Sequence, residues 1–184
     1  NETHKIFCAQ MQSGHTVEMR GRAMYLIDAM EKINKAELYV AGESLLSVLK
    51  PETLNALKQL DFDSLPKQRL SDGQEIHVIP TEAGDILIGG RGVNRWDLDR
   101  YPNACCVIDL GGQDTYFEGS CLLNRPLLFI IDLGDEDDVY EGKNVAIQGG
   151  AILGVSVWYD GGGNDSYLGK DVCQGSAIGG FGCL

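Results

Sequence analysis

The sequence is short of several things, and each shortage excludes something. Five prolines stand against 24 glycines in 184 residues, and the glycines keep no triplet period, which excludes a collagen-like triple helix and a proline-rich linker. No apolar run approaches the roughly 20 residues of a membrane span, and no basic start followed by an apolar middle marks a secretory leader. The chain opens on Asn1 rather than methionine, so a processed chain or a piece of a longer one is expected. Basic side chains are scarce: 15 Lys and Arg against 27 Asp and Glu give a net charge of −12. With no basic patch, nucleic acid and anionic membrane are poor partners, and metal cations or basic ligands are better ones. No histidine follows His77, and the six cysteines contain no Cys-x-x-Cys pair, so neither a zinc ribbon nor a thioredoxin-type site is encoded. His4 and Cys8 are spaced as two zinc ligands on a helix would be, but two ligands do not complete a site, and His15 stands apart.

What is present is unevenly spread. Residues 104–184 hold 3 basic and 12 acidic side chains, net −9, whereas residues 1–103 hold 12 and 15, net −3. From Thr16 to about Lys35, Ala23, Leu26, Ile27, Met30 and Ile33 recur at steps of three and four, the stripe of an amphipathic helix. An apolar run at Leu45, Leu46, Val48 and Leu49 leads to Pro51, which suits the first turn of a further helix carrying Leu54, Leu57 and Leu60. Helical period ends near residue 61, and Ser71-Asp72-Gly73 marks a turn. The expected division is a helical cap region, 1–73, and a repeat region, 74–184.

In the second region the chain repeats itself. Residues 76–90 align without a gap on 105–119, placing Val78 on Val107 and Ile79 on Ile108. The frame continues from Phe129 and again from Val157. Asp109, Asp132 and Asp160 mark it at steps of 23 and 28 residues. A period in the twenties is a solenoid signature. The expected fold is mainly β, a right-handed parallel β-helix of about four coils, with the helical region covering the first coil. Alternation along each strand predicts Cys106, Phe129 and Val157, with Ile108, Ile131 and Tyr159, on the inward face.

Chemistry-bearing residues gather in one turn, D-x-G-x-x-D-x-Y, at 109–116 and 160–167, and with one extra residue at 132–140. The segment DGGGNDSYL (160–168) resembles the nonapeptide of calcium-binding RTX β-rolls; the resemblance covers only the turns, because RTX units recur every 9 residues. It implies calcium at Asp165 and at its repeat equivalents Asp114 and Asp138. Independently, Asp109, Asp114, Asp132, Asp138, Asp160 and Asp165 stack at the strand spacing, and carboxylates with turn carbonyls could supply the six to eight oxygens that Ca²⁺ takes. The plain alternative is that each Asp caps a Gly turn and faces water.

Tyr116, Tyr140 and Tyr167 share one column and predict stacking between coils. Gln148 and Gln174 share another, an expected amide ladder. Asp137 and Asp138 are the candidate acid/base pair if the protein cleaves polysaccharide. Arg91, Arg95, Trp96, Arg100 and Tyr101 form a candidate patch for an anionic or sugar ligand, or pair with nearby acids. Thr115 aligns with Val139 and Ser166, so the outward threonine array of an ice-binding solenoid is missing. The expected function is a non-catalytic scaffold or interaction module, calcium-stabilised and placed outside the cytoplasm or at the cell surface. Two alternatives are a carbohydrate-active β-helix and a self-assembling subunit, with glycans, a protein partner or further copies of the chain at an open C-terminal coil as candidate partners.

Overall fold

The computed structural model describes residues 17–184. The expectations for His4, Cys8 and His15, and for the side chains of Ala23 and Leu26, fall outside what is described. Among the described residues three α-helices come first: α1 (Val17–Lys32), α2 (Lys35–Leu46) and α3 (Pro51–Lys58). Asn34 caps α2 by accepting the Glu37 N–H at 3.4 Å and donating to the Glu37 carboxylate at 2.8 Å, and Pro51 opens α3, where no intrahelical donor is needed.

A short strand β1 (Gln68–Arg69) and strand β2 (Glu75–Thr81) lead into the winding. The first coil carries β3 (Gly84–Gly89) and β4 (Arg95–Asp97), and the second carries β5 (Ala104–Asp109) and β6 (Thr115–Phe117). The third has β7 (Leu127–Asp132), β8 (Val139–Glu141) and β9 (Ala151–Ile152); the fourth has β10 (Val155–Tyr159), β11 (Ser166–Leu168) and β12 (Ala177–Ile178), after which β13 (Phe181–Cys183) follows. The main sheet runs β1-β2-β3-β5-β7-β10-β13, the second β11-β8-β6-β4, and the third pairs β12 with β9. Coil-to-coil pairing is parallel throughout. The protein is thus a mainly β solenoid of about four turns with N-terminal helices packed against it.

The structure corrects the alignment of the first unit. Residues 75–89 are an antiparallel hairpin, with Val78 opposite Leu87, and it is β3 that stacks on β5, pairing Ile88 with Ile108 and Gly89 with Asp109. Its two-residue loop, Glu82-Ala83, lacks the Asn-Gly type of signature. Thr81 closes the turn instead: its hydroxyl donates to the Gly84 carbonyl at 2.6 Å and accepts the Ala83 N–H at 3.2 Å.

The assignment of strand faces is also reversed. Leu87, Val107, Ile130 and Trp158 point into the coils and pack with Leu128, Tyr116 and Tyr140. Cys106, Phe129 and Val157, with Ile108, Ile131 and Tyr159, lie on the outer face of the main sheet. There they are covered by Leu45, Leu49, Leu54, Leu57, Leu60 and Phe62 of the helical region. The helices therefore lie along the sheet, while Ala29 and Met30 of α1 and Ile33 just beyond its end reach the third face near Ile152, Leu153 and Ile178. Arg91 pins the two parts together, donating to the carbonyls of Leu110 in the solenoid and Lys58 at the end of α3. Cys105, Cys106, Cys121, Cys173 and Cys183 are free thiols.

Candidate metal centre

Four of the six aspartates of the repeated turn are interior and do not face water. Asp109 and Asp132 are 0% exposed and Asp114 and Asp138 are 1% exposed; Asp160 and Asp165 are half-buried. Each marker aspartate divides its carboxylate between two tasks. One oxygen accepts the N–H two residues on, from Gly111 at 3.0 Å, Gly134 at 2.9 Å and Gly162 at 3.0 Å, the local bond that makes Asp a turn residue. The other accepts from an interior aromatic. Trp96 Nε1 donates to Asp109 at 2.5 Å, Tyr116 and Tyr140 hydroxyls donate to Asp132 at 2.7 and 3.2 Å, and the Tyr167 hydroxyl donates to Asp160.

The second aspartate of each turn ties adjacent coils together. Asp114 Oδ1 accepts the Asn94 N–H at 2.6 Å, Asp138 Oδ1 the Asp114 N–H at 2.6 Å, and Asp165 Oδ1 the Asp138 N–H at 2.9 Å. Close stacking at this corner requires glycine. A Cβ on Gly112, at φ +130°, would lie 2.3 Å from the Gly92 carbonyl oxygen of the preceding coil, and one on Gly163, at φ +128°, would lie 2.2 Å from that of Glu136.

Beside the carboxylates runs the aromatic column. The Tyr116 and Tyr140 rings stack at 4.8 Å, and those of Tyr140 and Tyr167 at 4.5 Å, with Trp158 tilted against the first two at 6.0 and 5.8 Å. Its first member is Trp96, which pairs with Tyr116 in the second sheet. The two glutamines do not bond to each other as an amide ladder would: Gln148 Nε2 donates to the carbonyls of Tyr140 and Leu168 and Gln174 Nε2 to that of Tyr167, while Gln148 Oε1 is buried without a partner.

Two groups of three carboxylates have oxygens within 4.8 Å of one another: Asp114, Asp132 and Asp138, and Asp138, Asp160 and Asp165. Burial raises the carboxyl pKa values of Asp109, Asp114, Asp138 and Asp165, and neighbouring aspartates raise them further. The ion pairs Lys32–Asp28, Lys67–Asp63 and Arg100–Asp97 all lie elsewhere. Two ionised carboxylates about 4.8 Å apart repel by about 3–4 kcal/mol at an effective dielectric constant near 20. The column therefore needs shared protons or a cation.

The residues fit a cation. Asp114 Oδ2 and Asp138 Oδ2 are buried with no hydrogen-bond partner, an expensive condition unless something else satisfies them. Two oxygens bound to one Ca²⁺ at about 2.3–2.6 Å are at most about 5.2 Å apart, and the oxygens of either triad, within 4.8 Å of one another, meet that limit. The donor set is oxygen only, which suits hard cations such as Ca²⁺, Mg²⁺ or Mn²⁺ and offers nothing to ions that prefer thiolate or imidazole.

The other candidate residues are dispersed. Asp137 and Asp138 are adjacent in sequence but divided in space: Asp138 is interior, whereas Asp137 is exposed and accepts the Asn164 N–H at 2.8 Å. Of the Arg-aromatic patch, Trp96 is fully buried and Tyr101 is half-buried with its ring 6.4 Å from that of Trp96. Arg95 lies 4.0 Å over the Phe117 ring and Arg100 pairs with Asp97 at 2.9 Å, while Arg91 anchors α3. Sequence reasoning missed Gly89, Asn94 and Trp96 as the first coil's counterparts of marker aspartate, second aspartate and tyrosine. The signal was there: Asn94-x-Trp96 has the spacing of Asp114-x-Tyr116.

A hollow of about 320 Å³ lies at another corner, lined by Thr81, Glu82, Asp85, Asn103, Cys105 and Asn124 among others. Among the described residues no helix is long and apolar enough to cross a membrane. Comparison of the chain with protein-family models, with curated proteins and with solved structures finds no match.

Proposed function

We propose that the protein is a non-catalytic solenoid scaffold, wound right-handedly as parallel crossovers almost always are, whose interior aspartate column takes up calcium. The observation that carries this reading is the pair of buried, unpartnered oxygens, Asp114 Oδ2 and Asp138 Oδ2, set among further carboxylates. A bound cation would turn the column's mutual repulsion into cross-links between coils 2, 3 and 4, so that rigidity depends on the ion. Of the RTX-like turn residues, Asp114 and Asp138 enter this reading as interior ligands and Asp165 as a half-buried one in the last coil. Calcium near 10⁻⁴–10⁻³ M is what extracellular modules are tuned to, so we place the protein outside the cytoplasm or at the cell surface. A partner protein would engage it by adding a strand to an edge of the sheets.

Thermal melting of the protein in chelator and in millimolar calcium tests the reading. At a calcium concentration 100 times the dissociation constant the expected gain is about 2.7 kcal/mol, or a rise of about 5–10 °C in Tm. An unmoved midpoint rejects calcium loading.

Glycan binding is the second reading, and one observation favours it. The hollow beside the β2–β3 turn presents Glu82, Asp85, Asn103 and Asn124 together, side chains suited to sugar hydroxyls. Asp85→Ala should then abolish retention on a glycan array while leaving the calcium response intact.

A further inference from the structure

The two triads are the same construction repeated one coil apart. The first takes the second aspartate of coil 2, Asp114, with both aspartates of coil 3, Asp132 and Asp138. The other takes the second aspartate of coil 3, Asp138, with both aspartates of coil 4, Asp160 and Asp165. Asp138 belongs to both, and its free oxygen can be identified: Oδ1 is held by the Asp114 N–H at 2.6 Å, while Oδ2 is buried and unpartnered. A single carboxylate therefore faces both groups.

Building on the calcium reading above, we propose that the column holds two divalent cations in file along the solenoid axis, with the Asp138 carboxylate shared between them. The geometry gives each position its own carboxylates, Asp114 and Asp132 on one side and Asp160 and Asp165 on the other, with only the bridge in common. Charge argues the same way. Five carboxylates facing one divalent ion keep three negative charges, and facing two ions they keep one, which a low-dielectric interior tolerates better. Adjacent coils lie about 4.8 Å apart, so the two ions would repel one another strongly without an anion between them, and Asp138 is that anion. The file also has a natural stop. One coil earlier, the equivalent group would be Asn94, Asp109 and Asp114. There the amide of Asn94 is neutral, so that group offers two carboxylates where each of the other two offers three.

Calcium counting on the full chain decides it. Metal-stripped protein is equilibrated with calcium and its bound ions are counted by equilibrium dialysis and by native mass spectrometry. The expected result is two ions per chain, falling to one in Asp165→Asn and to one in Asp114→Asn, since each substitution removes a ligand that only one position uses. Asp138→Asn should lose both. Terbium gives a second readout, because Tyr140 and Trp158 stand beside the column and would sensitise its emission; Asp165→Asn should dim that emission without extinguishing it. One ion or three in the wild-type chain, or one ion retained by Asp138→Asn, overturns the shared file. No ion in the wild-type chain overturns the calcium reading itself, so the two failures are distinguishable. Should Asp138→Asn not fold, the wild-type count still decides the number of ions.

Discussion

The first coil and the three that follow solve one corner of the solenoid with different chemistry. In coils 2 to 4 the corner is Asp, Asp and Tyr: Asp109, Asp114 and Tyr116, then Asp132, Asp138 and Tyr140, then Asp160, Asp165 and Tyr167. In the first coil the same positions are Gly89, Asn94 and Trp96. The substitutions are mutually dependent. A Cβ on Gly89 would come within 2.6 Å of the Trp96 indole and 2.8 Å of an Asp109 oxygen, so the larger ring occupies the room that a marker aspartate would need. The comparison teaches that a coil can make this corner without a carboxylate of its own, its Asn94 and Trp96 N–H groups being accepted by Asp114 and Asp109 of the next coil. The number of buried carboxylates in the later coils therefore exceeds what closing the turn requires.

The comparison breaks most visibly at Asp132. Its carboxylate accepts the hydroxyls of both Tyr116 and Tyr140 and the Gly134 N–H, and both rings are 1% exposed. Asp132→Ala strands these donors in the interior. At about 1–3 kcal/mol for each of the three buried donors, the expected loss is about 3–9 kcal/mol, read as a lower denaturation midpoint in urea. Asp132→Asn keeps an acceptor and should lose clearly less. Equal losses would mean that the carboxylate's hydrogen bonds are not what holds the acid corner together.

Much of this was legible in the sequence, and the illegible part has a physical cause. The marker step, the Asp-Gly turn and the tyrosine and glutamine columns follow from spacing, because stacked coils place like residues over like, and among the described residues the helices between 17 and 58 follow from their apolar period. Alternation could not say which face is inside, since Leu128 and Ile130 face the interior while Phe129 and Ile131 face the helices. A sheet apolar on both faces gives a strand no sign. Aspartates beside glycines ordinarily mean a solvated turn. What takes these inward is a set of aromatic hydroxyl and indole donors reaching them from the second sheet, contacts between separate strands that local spacing does not encode.

A pH series sharpens the contrast between neutral and acidic coils. In chelator, the Asp114 and Asp138 carboxyls have raised pKa values, chiefly from burial and then from neighbouring aspartates, with Asp138 pushed up to about 8. A carboxyl whose folded pKa exceeds its unfolded value near 4 contributes stability that is complete below that value and is lost as pH rises through the folded one. Metal-free protein should therefore melt at a lower temperature at pH 8 than at pH 5, the opposite of ordinary acid denaturation. Saturating calcium should remove most of the decline, because the cation replaces the proton. Asp114→Asn, which copies the first coil's Asn94, should flatten the metal-free profile. A profile that rises from pH 5 to 8 in chelator would show that the column ionises without strain.

The smallest effect lies in the first coil and tests whether its neutrality follows from packing. Gly89→Ala places a methyl against Trp96, and overpacking of that kind costs about 1–3 kcal/mol. Trp96→Phe alone removes the N–H donated to Asp109, a loss of about 1.5–3 kcal/mol for a bond to a charged acceptor and less if Asp109 is protonated. The double variant relieves the clash with the indole, because the phenyl ring does not extend to where the benzo carbon Cζ2 sits, and leaves only the approach to the Asp109 carboxylate, which has then lost its Trp96 donor. The two losses should therefore fall short of adding, with a coupling of about 1–2 kcal/mol in the double-mutant cycle. Simple additivity would mean that Gly89 is required by something other than the indole. The absence of a marker aspartate in the first coil would then need another cause than the room that Trp96 takes.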